Sequence, residues 1–472
     1  MLEQELEYFD VRVDLITSQK GGQLALCEGY KYRMDRVNKD RTKQWRCTTK
    51  KCTGRMKQLA NGTVINIIPH THAPDNSTNE AEKIMSQIRE EAARNIEKPR
   101  HLIQRVTEGA DLEALSQLPR FAALQQTVQR QQRKAQHPYS SPTTLGDIAI
   151  PNQLQLTTRD QPFLLWDSGV NDPRGVFMFG TVKNLSLLST HTRWAVDGTF
   201  KVAPDIFQLL FTIHAIVDNS AIPMIYVLLT SKLEADYERI FTKLLELKAS
   251  LAPTSILCDF EKAVQNAAHS TFPSAEIEGC FFHLGQCLWR KIQDLRLVQL
   301  FGEDSAARLM MKSLSALAFL PCRDVADAFD ELSENCMPVL SELYDYWEDT
   351  FIGRRRRNRR IDGRFPLECW NVHLRTRNCF PRTNNSIEGW HRSFQQTINC
   401  HHPSVCKLIE YLRREQDWTE QRLDRNRLGE EQPVASKTKY VQLNQRLLAI
   451  VNRHETITRM EFLSAIAQQL RI

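Results

Sequence analysis

The sequence lacks any long apolar run. Its longest uninterrupted apolar stretch lies within Ala221–Leu229, far short of the ~20 residues that a membrane-spanning helix needs. The opening MLEQELEYFD has neither the basic start nor the apolar segment of a secretory leader. A large excess of one charge sign is lacking as well. A net charge of +6 over 472 residues excludes a polycation and is by itself a weak argument for nucleic acid. No internal repeat is visible. These absences place the chain, as an expectation, in a reducing compartment, the cytosol or the nucleus. A disulfide framework is unexpected there, so the twelve cysteines read as metal ligands or buried thiols.

Hydrophobic residues make up 42% of the chain and charged residues 25%, the composition of a soluble globular protein. At about 100–200 residues per domain, the length allows two to four domains. Composition divides the chain into segments. Residues 8–75 are rich in strand formers, Gly and Lys/Arg, and end in His-Thr-His-Ala-Pro. Residues 77–137 read as helices broken at Pro99, Gly109 and Pro119. A polar linker follows, marked by Pro138, Pro142 and Pro151. Residues 152–283 alternate buried-strand runs with helical patterns, the signature of an α/β core. Residues 284–380 and 381–472 are mostly helical.

Within the core, Arg193–Val202, Phe207–Val217 and Ala221–Thr230 are expected strands. A helix is expected over Glu234–Ala249, with Tyr237, Ile240, Phe241, Leu244 and Leu245 at helical spacing. Ser255–Asp259 is a short strand. A helix with Ala263, Val264, Ala267 and Ala268 on one face comes next, and Glu276–Phe282 is a fifth strand. Three strands, a helix, a strand, a helix and a strand is the order of a ribonuclease-H-like fold.

In the first segment, Cys47-x4-Cys52 precedes His70-x-His72 by seventeen residues. Two thiolates and two imidazoles suit tetrahedral zinc. The surrounding strands hold few apolar residues, so about 10–16 kcal/mol from a structural zinc would decide whether they fold. The segment resembles the FLYWCH zinc finger at Phe9, Leu24 or Leu26, Tyr30 or Tyr32, Trp45, Cys47, Cys52, His70 and His72. It departs in the short spacing between the cysteines, which a hairpin can accommodate. Cys27 reads as core packing. The resemblance implies binding of DNA or of protein partners. Lys31, Arg33, Arg36, Lys39, Arg41, Lys43, Arg46, Lys50, Lys51, Arg55 and Lys57 would supply contacts to phosphates that carry no sequence information.

Three acidic motifs follow. Asp197 stands in Trp-Ala-Val-Asp-Gly-Thr-Phe, where Asp-Gly also fits a hairpin turn. Asp259 stands in Cys-Asp-Phe-Glu-Lys-Ala, where an Asp between strand and helix also fits an N-cap. Glu388 stands in Asn-Asn-Ser-Ile-Glu-Gly-Trp-His, where Asn385 and Glu388 also fit a capping pair. Between the second and third lies Cys280-Phe-Phe-His283. In this order the motifs resemble the MULE (Mutator-like element) transposase domain, over roughly residues 155–420. Cys280 and His283 match its C-x-x-H signature.

The resemblance implies an α/β fold class: a ribonuclease-H-like catalytic core with a helical insertion at 284–380. A small zinc-bound β-rich FLYWCH module and a helical linker domain precede it. It also implies metal-dependent DNA strand cleavage and transfer, that is, transposition and DNA recombination in the nucleus. Asp197, Asp259 and Glu388 would be catalytic and would hold two Mg²⁺ or Mn²⁺ ions. Mg²⁺ is hard and prefers carboxylate oxygens, and a pair of ions suits in-line phosphodiester chemistry. Asp197 would bridge both ions, Asp259 would hold one and Glu388 the other. Cys280 and His283 would lie near the active site, where His283 would contact DNA or position the scissile strand, and Cys280 reads as core rather than ligand. Glu261 reads as a surface residue. A domesticated descendant that binds DNA or regulates transcription without cutting is the alternative. DNA is the implied partner, with room for protein partners, for a homo-oligomer, and for no membrane.

Two basic segments complete the reading. Arg354, Arg355, Arg356, Arg357, Arg359 and Arg360 form a run that is expected to be solvated or bound to the DNA backbone. Residues 94–134 contain Arg94, Lys98, Arg100, Arg105, Arg120, Arg130, Arg133 and Lys134. They read either as a helix-turn-helix for DNA ends or as a plain helical linker.

Overall fold

The computed structural model describes residues 11–18, 21–95, 97–136, 142–357, 359–428 and 438–471. Phe9, Pro138 and the side chains of Arg133, Arg356 and Arg359 lie outside the described residues. The chain forms two compact units, Met1–Ser140 and Ser141–Ile472.

The first unit contains a six-stranded antiparallel meander. Its strands are β1 (Asp14–Thr17), β2 (Gln23–Cys27), β3 (Tyr30–Val37), β4 (Lys43–Cys47), β5 (Arg55–Gln58) and β6 (Val64–Ile68), paired in chain order. Side chains alternate across a pleated sheet. One face therefore collects Ala25, Cys27, Tyr32, Trp45, Met56 and Val64 as a small core. The buried Trp45 indole donates to Gln58 Oε1 at 3.1 Å. Four helices follow: α1 (Asn76–Arg94), α2 (Pro99–Thr107), α3 (Leu112–Ser116) and α4 (Phe121–Gln136). They bury Ile84, Ile88, Leu102, Ile103, Leu124 and Val128 among themselves. Asp75 caps α1 through Thr78 N–H at 2.9 Å. Helix α1 is tied to the sheet by Lys31–Glu82 at 2.9 Å and Lys83–Asp14 at 2.6 Å.

The second unit is built on a seven-stranded mixed sheet. Its strands are β7 (Leu164–Asp167), β8 (Val176–Phe179), β9 (Arg193–Thr199), β10 (Leu209–Val217), β11 (Ser220–Leu229), β12 (Ser255–Cys258) and β13 (Glu276–Gly279). The spatial order is β13-β12-β9-β10-β11-β8-β7. Strand β9 is antiparallel to β10 and parallel to β12, which is parallel to β13. Helix α5 (Val182–Thr190) precedes β9, α6 (Glu234–Leu247) precedes β12, and α7 (Lys262–Thr271) joins β12 to β13.

Both faces of this sheet are covered, so its strands read as nearly continuous apolar runs. One face buries Val196, Phe211, Ile213 and Val227 against Leu188 of α5, Ile240 and Phe241 of α6 and Ala267 of α7. The other buries Leu210, Tyr226 and Leu228 against two later helices, introduced below. The three central strands, α6, β12, α7 and β13 occur in the expected order. Two departures have physical reasons. Strands β7 and β8 extend the sheet beyond the five expected strands, on four-residue segments too short to show periodicity. Strand β13 stops at Gly279, because Phe281 and Phe282 already open a helix.

The helical part begins with α8 (Phe281–Asp294). It continues through α9 (Val298–Glu303), α10 (Ser305–Ala316), α11 (Cys322–Glu334), α12 (Ser341–Trp347), α13 (Leu367–Trp370) and α14 (His373–Arg377). The chain then returns to the sheet in α15 (Asn385–Ile398) and α16 (Val405–Arg427), and ends in α17 (Thr438–Val451) and α18 (Arg459–Gln469). Phe394 and Ile398 of α15 and Leu408 and Leu412 of α16 fill the second face of the sheet. Leu447, Phe462 and Ile466 of the last two helices instead pack with Leu284, Met311, Trp347 and Trp370. Thus α17 and α18 join the core of the helical region rather than the sheet. No described helix is long and apolar enough to cross a membrane.

Candidate functional site

The zinc ligands are brought together by the turn between β4 and β5. Cys47 ends β4, and its N–H donates to Gly54 O at 3.0 Å. Lys51 takes a left-handed φ of 66° between them. This tight turn resolves the short Cys47–Cys52 spacing. One ligand atom from each of Cys47, Cys52, His70 and His72 lies within 4.8 Å of the others. Cys47 Sγ is 3.3 Å from His72 Nε2, and Cys52 Sγ is 3.4 Å from His70 Nδ1. A zinc tetrahedron with ordinary Zn–S and Zn–N bonds has an S···N edge of about 3.6 Å, so these separations fit an ion. The second ring nitrogens are also fixed, as ligating imidazoles require. His70 Nε2 meets the Tyr32 hydroxyl at 2.7 Å, and His72 Nδ1 donates to Ala73 O at 2.9 Å. Burial works against the Cys52 thiolate, but backbone N–H groups of Thr71 and Gly54 outweigh it and bring the thiol down to about 6. Cys27 lies in the sheet core, where burial pushes its thiol up to about 11.

The acidic residues gather within the second unit's sheet, where β9 pairs with β12, close enough that the charges of Asp259 and Glu388 act on Asp197. Strands β9 and β12 run parallel, with Ile256 opposite Trp194 and Leu257 opposite Ala195. Continuing that register by two residues sets Asp259 level with Asp197, one strand spacing of about 4.8 Å away. Asp197 shares the face of Ala195, which packs with Leu257, Cys280 and Ile387. Ile387 precedes Glu388 in the first turn of α15, and the Glu388 carboxylate lies near enough for its charge to act on Asp197. Asp197 Oδ1 accepts from Gly198 N at 2.8 Å and Oδ2 from Asn384 Nδ2 at 3.1 Å. Asp259 Oδ1 accepts from Glu261 N at 3.2 Å. His283 Nε2 lies 3.8 Å from Glu388 Oε1, and His391 Nδ1 lies 3.7 Å from Asp197 Oδ2.

The electrostatics describe a site charged against its own surroundings. Burial, then the charge of Asp259, and more weakly that of Glu388, push Asp197 up to about 7. Gly198 N–H and Lys232 only partly offset this. Burial also raises Asp259 against Lys232, and raises Glu388 against Arg392. Burial pushes His283 and His391 down to about 4. Both imidazoles are therefore neutral near pH 7, and their carboxylate contacts are not ion pairs.

Several expectations change at this site. Asp197 and Gly198 are not a hairpin turn, because both lie inside β9, paired with Thr212 and Phe211. Asn385 and Glu388 are not a capping pair. Asn384 holds the N-cap position of α15, and its side chain makes no capping bond. Asp259 does bind a backbone N–H, but Glu261 holds the N-cap position of α7. Glu261 is half-buried rather than a freely solvated surface residue. It pairs with Lys232 and accepts from the Tyr237 hydroxyl at 3.2 Å. Lys232, Asn384 and His391 were not singled out as site residues. Asn384 and His391 flank Glu388 in the quoted motif, whereas Lys232 carries no sequence signal.

The arginine run folds as a two-stranded hairpin, β14 (Arg355–Arg356) and β15 (Arg359–Arg360). It is less free than expected. Arg354 chelates Asp349, with one bond of 2.8 Å. Arg360 pairs with Asp330 and with Glu348, the latter at 3.0 Å. Arg355 lies 3.7 Å from Asp330, and Arg357 is exposed. The zinc module offers a different arrangement. Arg33, Arg46 and Arg55 lie opposite one another on β3, β4 and β5, on the face away from Trp45. Like charges so placed repel.

Two family descriptions match this chain. The FLYWCH zinc finger domain matches residues 15–73, and the MULE transposase domain matches residues 193–286. No curated protein matches it. The first match spans all four zinc ligands. The second spans Asp197, Asp259, Cys280 and His283 and ends before Glu388. Together they indicate a transposase-related, DNA-binding protein whose Cys₂His₂ cluster suits structural zinc.

Proposed function

We propose that this protein is a MULE-type transposase that cuts and joins DNA strands in the nucleus. Its core is read as ribonuclease-H-like. The observation that carries the proposal is that Asp197 in β9, Asp259 just past the end of β12 and Glu388 on α15 lie close enough for the charges of the last two to act on the first. The strand order β11-β10-β9-β12-β13, with β10 antiparallel and β12 parallel to β9, supports the fold reading.

The donor set fits divalent cations of the Mg²⁺ type, which take carboxylate oxygens. The burial and mutual repulsion that raise Asp197 are relieved by a cation. Two such ions, when bound, supply electrostatic stabilisation to the attacking and leaving oxygens of a phosphodiester. Asp197, between Asp259 and α15, would hold both ions. Asp259 would hold one and Glu388 the other. Neutral His283, beside Glu388, can donate a hydrogen bond to DNA or accept a proton from it. Plasmid nicking by the zinc-loaded protein in Mn²⁺ tests the proposal, and no nicking at any Mn²⁺ concentration contradicts it.

The pKa of Asp197 gives a signed expectation. Its folded-state value, about 7, lies above the ordinary 3.8. The folded protein thus keeps this proton while the unfolded chain loses it. The contribution of Asp197 to core stability should fall as pH rises from about 4 to about 7, and comparing the parent with Asp197→Asn isolates it from the opposite contribution of the depressed His283 and His391. Added Mg²⁺ should raise the melting temperature above pH 7 and have little effect near pH 5. Calorimetry of the zinc-loaded protein checks both, and a Mg²⁺ effect that grows toward acid pH would contradict the assignment.

The arginine row of the zinc module should bind phosphates. Each of Arg33→Ala, Arg46→Ala and Arg55→Ala should flatten the log–log salt dependence of DNA binding by about 0.9. Fluorescence anisotropy over a salt series measures the slope, and three unchanged slopes would place the DNA contacts elsewhere.

A further inference from the structure

The cysteine of Cys280-x-x-His283 is not explained by metal binding. It is fully buried, and the zinc-type cluster among the described residues lies in the other unit. Its contacts give it a different task. Cys280 Sγ donates to Asn384 Oδ1 at 3.1 Å, and Asn384 N–H donates back to Cys280 Sγ at 3.3 Å. This reciprocal pair fixes the Asn384 amide, because its oxygen faces the thiol. The amide nitrogen is then left to donate to Asp197 Oδ2 at 3.1 Å. Asn384 is 1% exposed, so no water competes for these bonds.

The same two residues reach the other acids through the backbone. Cys280 N–H donates to Cys258 O at 2.8 Å, the residue before Asp259. Asn384 O accepts from Glu388 N at 3.0 Å. Cys280 sits where the chain leaves the sheet for the helical region, and Asn384 where it returns. Phe281 N–H adds a bond to Arg382 O at 2.9 Å across the same junction. The pair thus clamps both ends of the helical region and touches the mounting of all three carboxylates.

We propose that Asn384 is a positioning residue for Asp197, held in orientation by the Cys280 thiol. This rests on the reading of Asp197, Asp259 and Glu388 as a divalent-metal site. Asn384 fixes which oxygen of Asp197 is hydrogen-bonded and which way the carboxylate turns toward Asp259. Its side chain does not cap α15, so removing the amide should spare the helix. Loss of a partner that orients a ligand typically costs about 10–100-fold in metal affinity or activity.

The test is Mn²⁺ binding to the full-length, zinc-loaded protein by calorimetry, with plasmid nicking and DNA affinity measured in parallel. Asn384→Ala should weaken Mn²⁺ binding about 10–100-fold, with DNA affinity unchanged. Cys280→Ala should give a smaller loss of the same kind. Cys280→Ser, which keeps a donor for Asn384 Oδ1, should recover part of it. Asp197→Asn is the control. If it leaves Mn²⁺ binding intact, the metal-site reading fails. If it abolishes Mn²⁺ binding while Asn384→Ala does not weaken it, the positioning role is overturned. Should Asn384→Ala not fold, the cysteine pair decides: equal losses in Cys280→Ala and Cys280→Ser overturn the proposal, and partial recovery in Cys280→Ser supports it.

Discussion

Replacing Asp197 with Asn should lower metal-dependent nicking by about a thousandfold or more, corresponding to about 4 kcal/mol of lost transition-state stabilisation. DNA affinity should change little. Asn has nearly the same shape, so β9 and the bond from Gly198 N–H can persist. What disappears is the negative charge. Asp259→Asn and Glu388→Gln should act the same way, because neither amide offers a charged ligand. The three losses should not add, since each alone dismantles the site. The metal-free Asp197→Asn protein should also be more stable than the parent near pH 8. The parent there carries a buried carboxylate repelled by Asp259 and Glu388, and the variant does not. Higher stability with lost activity would separate a functional role from a structural one. Full nicking by any of the three variants would remove that residue from the proposed active site.

Removing zinc should unfold the N-terminal sheet and leave the larger unit folded. Beneath β1–β6 the small core includes only one tryptophan, Trp45. A structural zinc contributes roughly 10–16 kcal/mol in modules of this size, more than such a core can replace. Cys47→Ser should abolish hydrogen-exchange protection over Asp14–Ile68 while β7–β13 keep theirs. Gly54→Ala offers a subtler version. A methyl group at Gly54 would meet the His70 ring at 2.5 Å, so the imidazole must move back from the site. Zinc affinity should then fall between that of the parent and that of Cys47→Ser. Unchanged exchange protection in Cys47→Ser would show that the sheet does not depend on the ion.

Much of this architecture was legible from residue patterns, for identifiable reasons. Zinc ligation uses rare residue types at close spacing, so Cys47, Cys52, His70 and His72 stood out. The central strands were visible because both faces of the sheet are covered, leaving nearly continuous apolar runs such as Met224–Leu229. Helix α6 showed because its buried side, Tyr237, Ile240, Phe241 and Leu244, repeats at helical spacing. Other features depend on tertiary contacts that no local pattern encodes. Strands β7 and β8 are too short for a periodicity. Helices α17 and α18 are amphipathic, but nothing local says that their apolar sides join the core around Trp347 and Trp370. Asn384 carries no local signal of its role, and its orientation comes from a cysteine 104 positions away. Arg360 looked solvent-bound within a basic run, yet Asp330 and Glu348 fold back to meet it. Asp197, Asp259 and Glu388 each had a local structural explanation, and it is the pairing of β12 with β9 that brings Asp197 and the strand before Asp259 together.

The most direct test of that convergence is electron paramagnetic resonance of the zinc-loaded protein titrated with Mn²⁺. Two ions held by Asp197, Asp259 and Glu388 should sit about 3.5–4 Å apart and give the spectrum of a magnetically coupled pair, absent in Asp197→Asn. A spectrum of isolated Mn²⁺ ions, the same in both proteins, would contradict a shared two-metal site.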